Sequence, residues 1–224
     1  NTEGSVADTL DEFRDDGFGL GADSTALVNY QNNTYVAFNW KVGGVSPSSY
    51  TPSGATAGVS MQRNTTAGIS IVTYNGTGTG NGAGDQALGH GLQVNDVDTK
   101  PDMMIIKARD YAGTWKVWHK DMGGTLTTDF LTLNTTAGTA STSDNVWDGA
   151  EPTSTLFSVG YDWDVNKNTA TYVGYFFASV EGYSKFGTYE GGGITDGTMV
   201  YTGFRPAFVM TKSVDSSSHW EMFD

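Results

Sequence analysis

The chain has 224 residues, 38% of them hydrophobic and 12% aromatic, which is enough to fill a core and too much for a disordered tail. Twelve Lys and Arg stand against 25 Asp and Glu, a net charge of −13; with no basic cluster, nucleic acid and anionic membrane surfaces are disfavoured as partners, because both are held by cationic side chains. There is no cysteine, which excludes disulfides and thiolate metal sites, and no apolar run is long enough to span a bilayer as a helix.

In chain order, residues 5–13 (SVADTLDEF) read as a short helix. Ser5 caps it, Val6, Leu10 and Phe13 share a face, and Gly17 ends it. The acidic run Asp8, Asp11, Glu12, Asp15 and Asp16 is its solvated face. From there the texture is that of strands. Thr34–Trp40 carries bulky residues on both faces, and 43–68 is rich in Gly, Ser, Pro and Thr and reads as a long exposed loop. Strands are expected at Ile69–Tyr74, Met103–Lys107, Trp115–His119, Phe130–Leu133, Phe157–Gly160 and Tyr172–Phe177, with a glycine-rich loop at 76–84. That loop lacks the Lys-Ser/Thr and following helix of a phosphate-binding loop.

Internal repetition organises the chain. Pro101–Lys107 matches Pro206–Lys212, and the same offset of 105 carries Trp115 onto Trp220. Phe18–Asp23 matches Phe157–Asp162, and Thr34-Tyr35-Val36 matches Thr171-Tyr172-Val173. The implied organisation is the back half of a module at 1–42, a loop or linker at 43–68, a complete module at 69–182 and the front half of another at 183–224. The halves are completed by each other, by neighbouring subunits or by chain outside these residues. Rings repeated at matching positions, Tyr35 with Tyr172 and Trp115 with Trp220, are expected to be equivalent core residues.

The run Glu181–Tyr189, followed by Asp196-Gly197 and Val200–Met210, resembles repeat modules of tail-fibre and tail-associated virion proteins of marine tailed bacteriophages. Gly89–Leu92, Lys100–Lys107, Trp115–His119 and Asp16–Phe18 with Thr34–Ala37 fit the same module. The resemblance implies an all-β, antiparallel β-sandwich of lectin-like jelly-roll or concanavalin-like type. It further implies a non-enzymatic protein on the virion surface that contacts host glycans. Its expected partners are other virion proteins and further copies of itself, in a trimer or array. A structural capsid, head-decoration or fibre-shaft protein and a glycan-cleaving tailspike are the alternatives.

Few residues carry chemistry. Asp162, Asp164 and Asn166 alternate as oxygen ligands do in calcium loops, but Lys167 and Val173 depart from that pattern, and a polar turn explains the run as well. Asp144, Asp148 and Glu151 around Trp147 are the best carboxylate cluster for glycan hydrolysis. No catalytic set emerges, since His90, His119 and His219 accompany no nucleophile elbow. Trp147, Tyr161 and Trp163 lie in polar, loop-like surroundings and are the candidate rings for stacking on a sugar.

Overall fold

A computed structural model describes residues 9–22, 28–35, 37–43, 46–141, 145–193, 195 and 197–224. The chain divides into two compact units, 1–41 and 42–224.

In the first unit, β1 (Leu10–Arg14) and β2 (Gly17–Leu20) form an antiparallel hairpin with Phe13 opposite Phe18. The helix expected over 5–13 is corrected here: Leu10–Phe13 are strand, and residues 1–8 lie outside the described residues. The structure closes the hairpin through a two-residue turn, Asp15-Asp16, and a short helix is costly to nucleate in the absence of packing along its face. The described residues of Thr34–Trp40 are not strand.

The second unit is all-β apart from one helical turn. In chain order it holds β3 (Ser48–Tyr50), β4 (Val59–Asn64), β5 (Ile69–Asn75), β6 (Gln86–Gly89), β7 (Gln93–Val94), β8 (Val97–Asp98), β9 (Met103–Ala108) and β10 (Lys116–His119). Then come β11 (Asp129–Thr132), β12 (Ala140–Ser141), β13 (Leu156–Val159), α1 (Trp163–Asn166), β14 (Thr171–Phe177), β15 (Val209–Thr211) and β16 (Glu221–Phe223). Eight strands make one antiparallel sheet in the order β12-β11-β10-β9-β14-β5-β4-β3. The ribbon β6–β13 lies over it as the second layer of an antiparallel β-sandwich: the Phe157 ring is 4.8 Å from Phe176 and 5.8 Å, edge-on, from Tyr74.

Alternation along β14 explains why that strand is central. Tyr172, Gly174 and Phe176 face the core and are buried, while Thr171, Val173, Tyr175 and Phe177 face outward and are half-buried. Gly174 is required there, because a Cβ would lie 2.8 Å from the Phe176 ring and 3.0 Å from Ile106. Val72, Leu88, Ile106, Trp118, Trp147, Phe157 and Val159 complete the core.

The stretch 43–68 differs from expectation. It contains β3 and β4, and Val59 and Met61 of β4 are buried against the sheet. Their alternation is hidden among Ser60, Gln62, Arg63 and Asn64, which occupy the other face or the strand end.

Two of the matched segments share backbone geometry. The hairpin β15–β16 repeats the register of β9–β10: Met104 opposite Trp118 becomes Val209 opposite Phe223, every position moved by 105. The strand β2 likewise falls on β13 position for position. A correction applies to the rings. Tyr172 is fully buried, whereas Tyr35 is exposed, because β14 is paired on both sides and the described residues around Tyr35 form no strand. Trp115 and Trp220 are alike but only half-buried. Trp115 stacks on Tyr175 on the outer face of the sheet, and Trp220 donates from Nε1 to the Thr132 carbonyl at 3.0 Å.

Candidate functional site: an aromatic platform on the α1 turn

The turn leading from β13 to β14 carries an exposed tryptophan with further rings close to it in the chain or in space. Asp162 caps α1 by accepting from the Asp164 N–H at 2.7 Å, and this fixes the direction in which Trp163 projects. Trp163 is 55% exposed, and it is the only exposed one of the five tryptophans at 42–224. Tyr161, two residues earlier in the chain, is half-buried. The Lys167 ammonium lies between two rings, 4.9 Å from the Trp163 centroid and 5.0 Å from that of Tyr111.

The glycine-rich loop forms the rim. A Cβ on Gly80 would lie 2.8 Å from Nε1 of Trp163, and one on Gly82 would meet the Tyr161 ring at 3.8 Å. The Gly78 N–H donates to the Asn166 carbonyl at 2.7 Å, and the Asn168 N–H donates to the Gly78 carbonyl at 2.8 Å, so loop and turn are stitched together. Glycine is needed for this approach, since Cβ atoms on Gly76 and Gly78 would meet the carbonyls of Lys167 and Asn166 at 2.2 and 2.3 Å.

Beneath the surface, Asn166 is the hub. Its Oδ1 accepts from the Thr77 N–H at 2.8 Å and from Gln86 Nε2 at 2.7 Å. Its Nδ2 donates to the carbonyls of Gly84 at 2.9 Å and Gly160 at 2.7 Å. Fully buried, it has every bond its amide can form. Tyr172 extends the network: its hydroxyl accepts from the Lys167 N–H and donates to the Trp163 carbonyl, each at 2.6 Å, and it meets the Tyr111 hydroxyl at 3.0 Å. Burial, and then the bond to Tyr172, push the Tyr111 phenol well above its ordinary range. Burial raises Tyr172 and Tyr74 as well, so these hydroxyls act as fixed hydrogen-bonding groups and not as bases.

Two sequence expectations are corrected at this site. Asp162, Asp164 and Asn166 do not converge on an ion. Asp162 is the cap, Asp164 accepts from the Thr114 N–H at 3.0 Å and from the Thr114 hydroxyl and pairs with the Lys116 ammonium at 3.4 Å, and Asn166 points into the hub. The alternation that suggests calcium is that of a capped turn tied to its neighbours. Among the described residues, no group of three or more Asp, Glu or His side chains is placed to hold a metal ion.

Trp147 is not a surface ring. It is fully buried, and its Nε1 donates to the Asp129 carbonyl at 2.7 Å. Its polar neighbours misled because Asn145 and Asp148 belong to a tight turn, with Asp148 at a φ of +54°; the buried Val146 beside it was the better signal. Among the described residues, the carboxylates around it, Asp148 and Glu151, do not face each other across the ring. Asp148 is exposed, Glu151 pairs with Lys100 at 2.6 Å, and Asp144 lies outside the described residues. Sequence reasoning missed Lys167 and Tyr111 as neighbours of Trp163, and no local pattern announces them, since the turn at 110–114 is brought in by the sheet.

Among the described residues, no helix is long and apolar enough to cross a membrane. Neither the curated proteins nor the solved structures contain a match to the chain. The whole length, residues 1–224, matches the family described as Domain of unknown function (DUF7483), and the chain belongs to that family.

Proposed function

We propose that this chain is a non-enzymatic virion-surface protein of a tailed bacteriophage, of the tail-fibre or appendage kind, which contacts host glycans through the Trp163–Tyr161 platform. The observation that carries the reading is the exposed Trp163 ring on a turn held rigid by the Asn166 hub. A flat ring presented without the freedom to collapse is what stacking on a sugar face requires. The Lys167 ammonium beside it supplies a hydrogen-bond donor for ring hydroxyls. The module resemblance supports the virion setting. The acidic balance fits a crowded external assembly.

The test is a glycan array read with the natural chain and with Trp163→Ala. The expected result is binding to at least one saccharide, weakened about threefold to tenfold by the substitution, as the value of one stacked ring implies. The melting temperature should stay unchanged, because the ring is exposed. Binding to no sugar at all would leave a purely structural virion role. Release of oligosaccharide from host polysaccharide would overturn the non-enzymatic reading in favour of a tailspike.

The same proposal includes self-association into a trimer or array. It is supported by the exposed apolar side chains of 183–224, namely Tyr189, Met199, Tyr201, Met222 and Phe223. A monodisperse monomer in light scattering at micromolar concentration would contradict it.

A further inference from the structure

The glycine-rich loop carries two Asn-Gly dipeptides, Asn75-Gly76 at its start and Asn81-Gly82 within it. Asn-Gly is the dipeptide in which a backbone nitrogen most easily reaches the preceding side-chain amide, because glycine places no Cβ in the path. Whether that chemistry proceeds depends on whether the glycine nitrogen is free and the backbone can turn, and the two dipeptides differ in both respects.

At Asn75-Gly76 the backbone is locked. The Gly76 N–H donates to the Ala170 carbonyl at 2.8 Å, and the Gly76 carbonyl accepts from the Thr169 N–H at 3.3 Å. The Asn75 carbonyl accepts from Gln86 Nε2 at 3.0 Å, and Asn75 is paired across the sheet with Thr171. Gly76 is buried under the Lys167 carbonyl.

At Asn81-Gly82 nothing comparable holds the chain. Both residues are exposed, and Gly82 has a φ of +75°. Thr79 donates from its N–H to the Ala83 carbonyl at 3.0 Å and from its hydroxyl at 3.4 Å. These bonds pinch the base of the loop and leave 80–82 as its tip. Among the described residues, no hydrogen bond engages the Gly82 N–H or the Asn81 side chain.

We propose that Asn81 is a site of spontaneous deamidation and that Asn75 is protected from it. The Gly82 nitrogen loses its proton and bonds to Cγ of Asn81. The Cγ–Nδ2 bond breaks, and ammonia leaves carrying the displaced proton, so that a five-membered succinimide remains. Water then adds to one of the two imide carbonyls, and ring opening gives aspartate or isoaspartate. No oxidant, reductant or enzyme is required. Each event adds one negative charge to a chain that already carries −13. The new carboxylate stands on the loop next to Gly80, which abuts Trp163, the ring over which the Lys167 ammonium lies. Isoaspartate also lengthens the backbone of the tip by one methylene, which alters the rim against which the platform rings rest. The aromatic platform is thus modified with the age of the molecule.

The full chain is incubated in mildly alkaline buffer, and samples taken over time are digested and mapped by mass spectrometry, with isoaspartate assayed separately. The expected result is conversion at Asn81 at least about tenfold faster than at Asn75, because reaction at Asn75 must wait for local opening of the end of β5. On anion exchange, a later-eluting species accumulates in the natural chain and is absent from Asn81→Gln, whose longer side chain disfavours the five-membered ring. Equal rates at the two asparagines, or an Asn81 that stays intact while Asn75 converts, would overturn the proposal. The readout is mass and charge, without any saccharide, so its failure and the failure of the glycan reading are told apart.

Discussion

The hairpins β9–β10 and β15–β16 have matching sequences and identical pairing, yet their surroundings differ almost completely. In β9–β10 the residues Met103, Met104, Ile106, Val117 and Trp118 are buried. In β15–β16 the corresponding Val209, Met222 and Phe223 are exposed, and among the described residues β15 pairs with β16 alone. What distinguishes them is the set of strands around β9. It has β14 on its second side, β10 continues into β11, and the Trp118 indole donates to the Leu126 carbonyl at 2.8 Å. The comparison separates two contributions: local sequence sets the hairpin and its register, and burial comes from partners distant in the chain.

The largest expected effect lies at the ring shared by the two hairpins. Trp118→Ala should destabilise the chain by about 3–5 kcal/mol, as loss of a large ring from a close-packed core does. The equivalent Phe223→Ala should cost no more than about 0.5 kcal/mol, since its ring is exposed. Thermal or denaturant unfolding of both variants measures the contrast, and equal losses would mean that β15–β16 is covered in solution.

A second contrast is with pH. His90 is buried against Phe176, accepts from the Leu92 N–H at Nδ1 and faces the Thr153 carbonyl through Nε2, so the neutral ring is the one that fits. Burial lowers its pKa from 6.5 to about 4, against smaller opposing effects of the Thr153 carbonyl and Asp98. The unfolded chain therefore takes up a proton near pH 6.5 and the folded chain only near 4. Stability should be fullest above pH 6.5 and fall by about 3 kcal/mol as the pH drops through that window. His119, also lowered chiefly by burial, adds to the slope. The contribution of His90 is accordingly the difference between the natural chain and His90→Gln in unfolding titrations, and identical slopes would refute it.

A smaller effect is expected at Asp102, which ties the end of β9 to the chain beyond β14. It accepts from the Ser179 N–H at 2.7 Å and pairs with Lys120 at 3.0 Å. Burial raises its pKa, but the bonds from Ser179 and Lys120 outweigh that and hold the carboxyl below its ordinary value. Asp102→Asn should cost about 1–2 kcal/mol at neutral pH. The matching position in the second hairpin is Ala207, so no counterpart exists to lose. An unchanged midpoint of unfolding would show that the clip is solvated.

Much of the sandwich is legible in the sequence where strands are apolar and alternate. The expected Met103–Lys107, Phe157–Gly160 and Tyr172–Phe177 each fall within a residue of β9, β13 and β14. The strand β4 escapes notice because only Val59 and Met61 mark its inner face and its other side chains resemble those of a loop. Leu10–Phe13 shows the converse, a helical spacing overruled by a turn that makes a hairpin. At the candidate site, Tyr161 and Trp163 are readable as rings outside the repeated pattern. Lys167 and Tyr111 are not, because their approach depends on how β9 and β14 align. Trp147 reads wrongly for a related reason: one indole N–H reaching a strand carbonyl allows a large ring to be buried in polar sequence.

The Asn166 amide has a consequence for motion. Three stretches of chain, 77–86, the end of β13 and the α1 turn, share a single side chain as their common fastener. Slow amide hydrogen exchange at Thr77 should therefore rise and fall together with exchange at Lys167, although ninety residues separate them in sequence, and both should quicken in Asn166→Asp, where two donors become acceptors facing the Gly84 and Gly160 carbonyls. A part of the surface that looks like three loops would then breathe as one body.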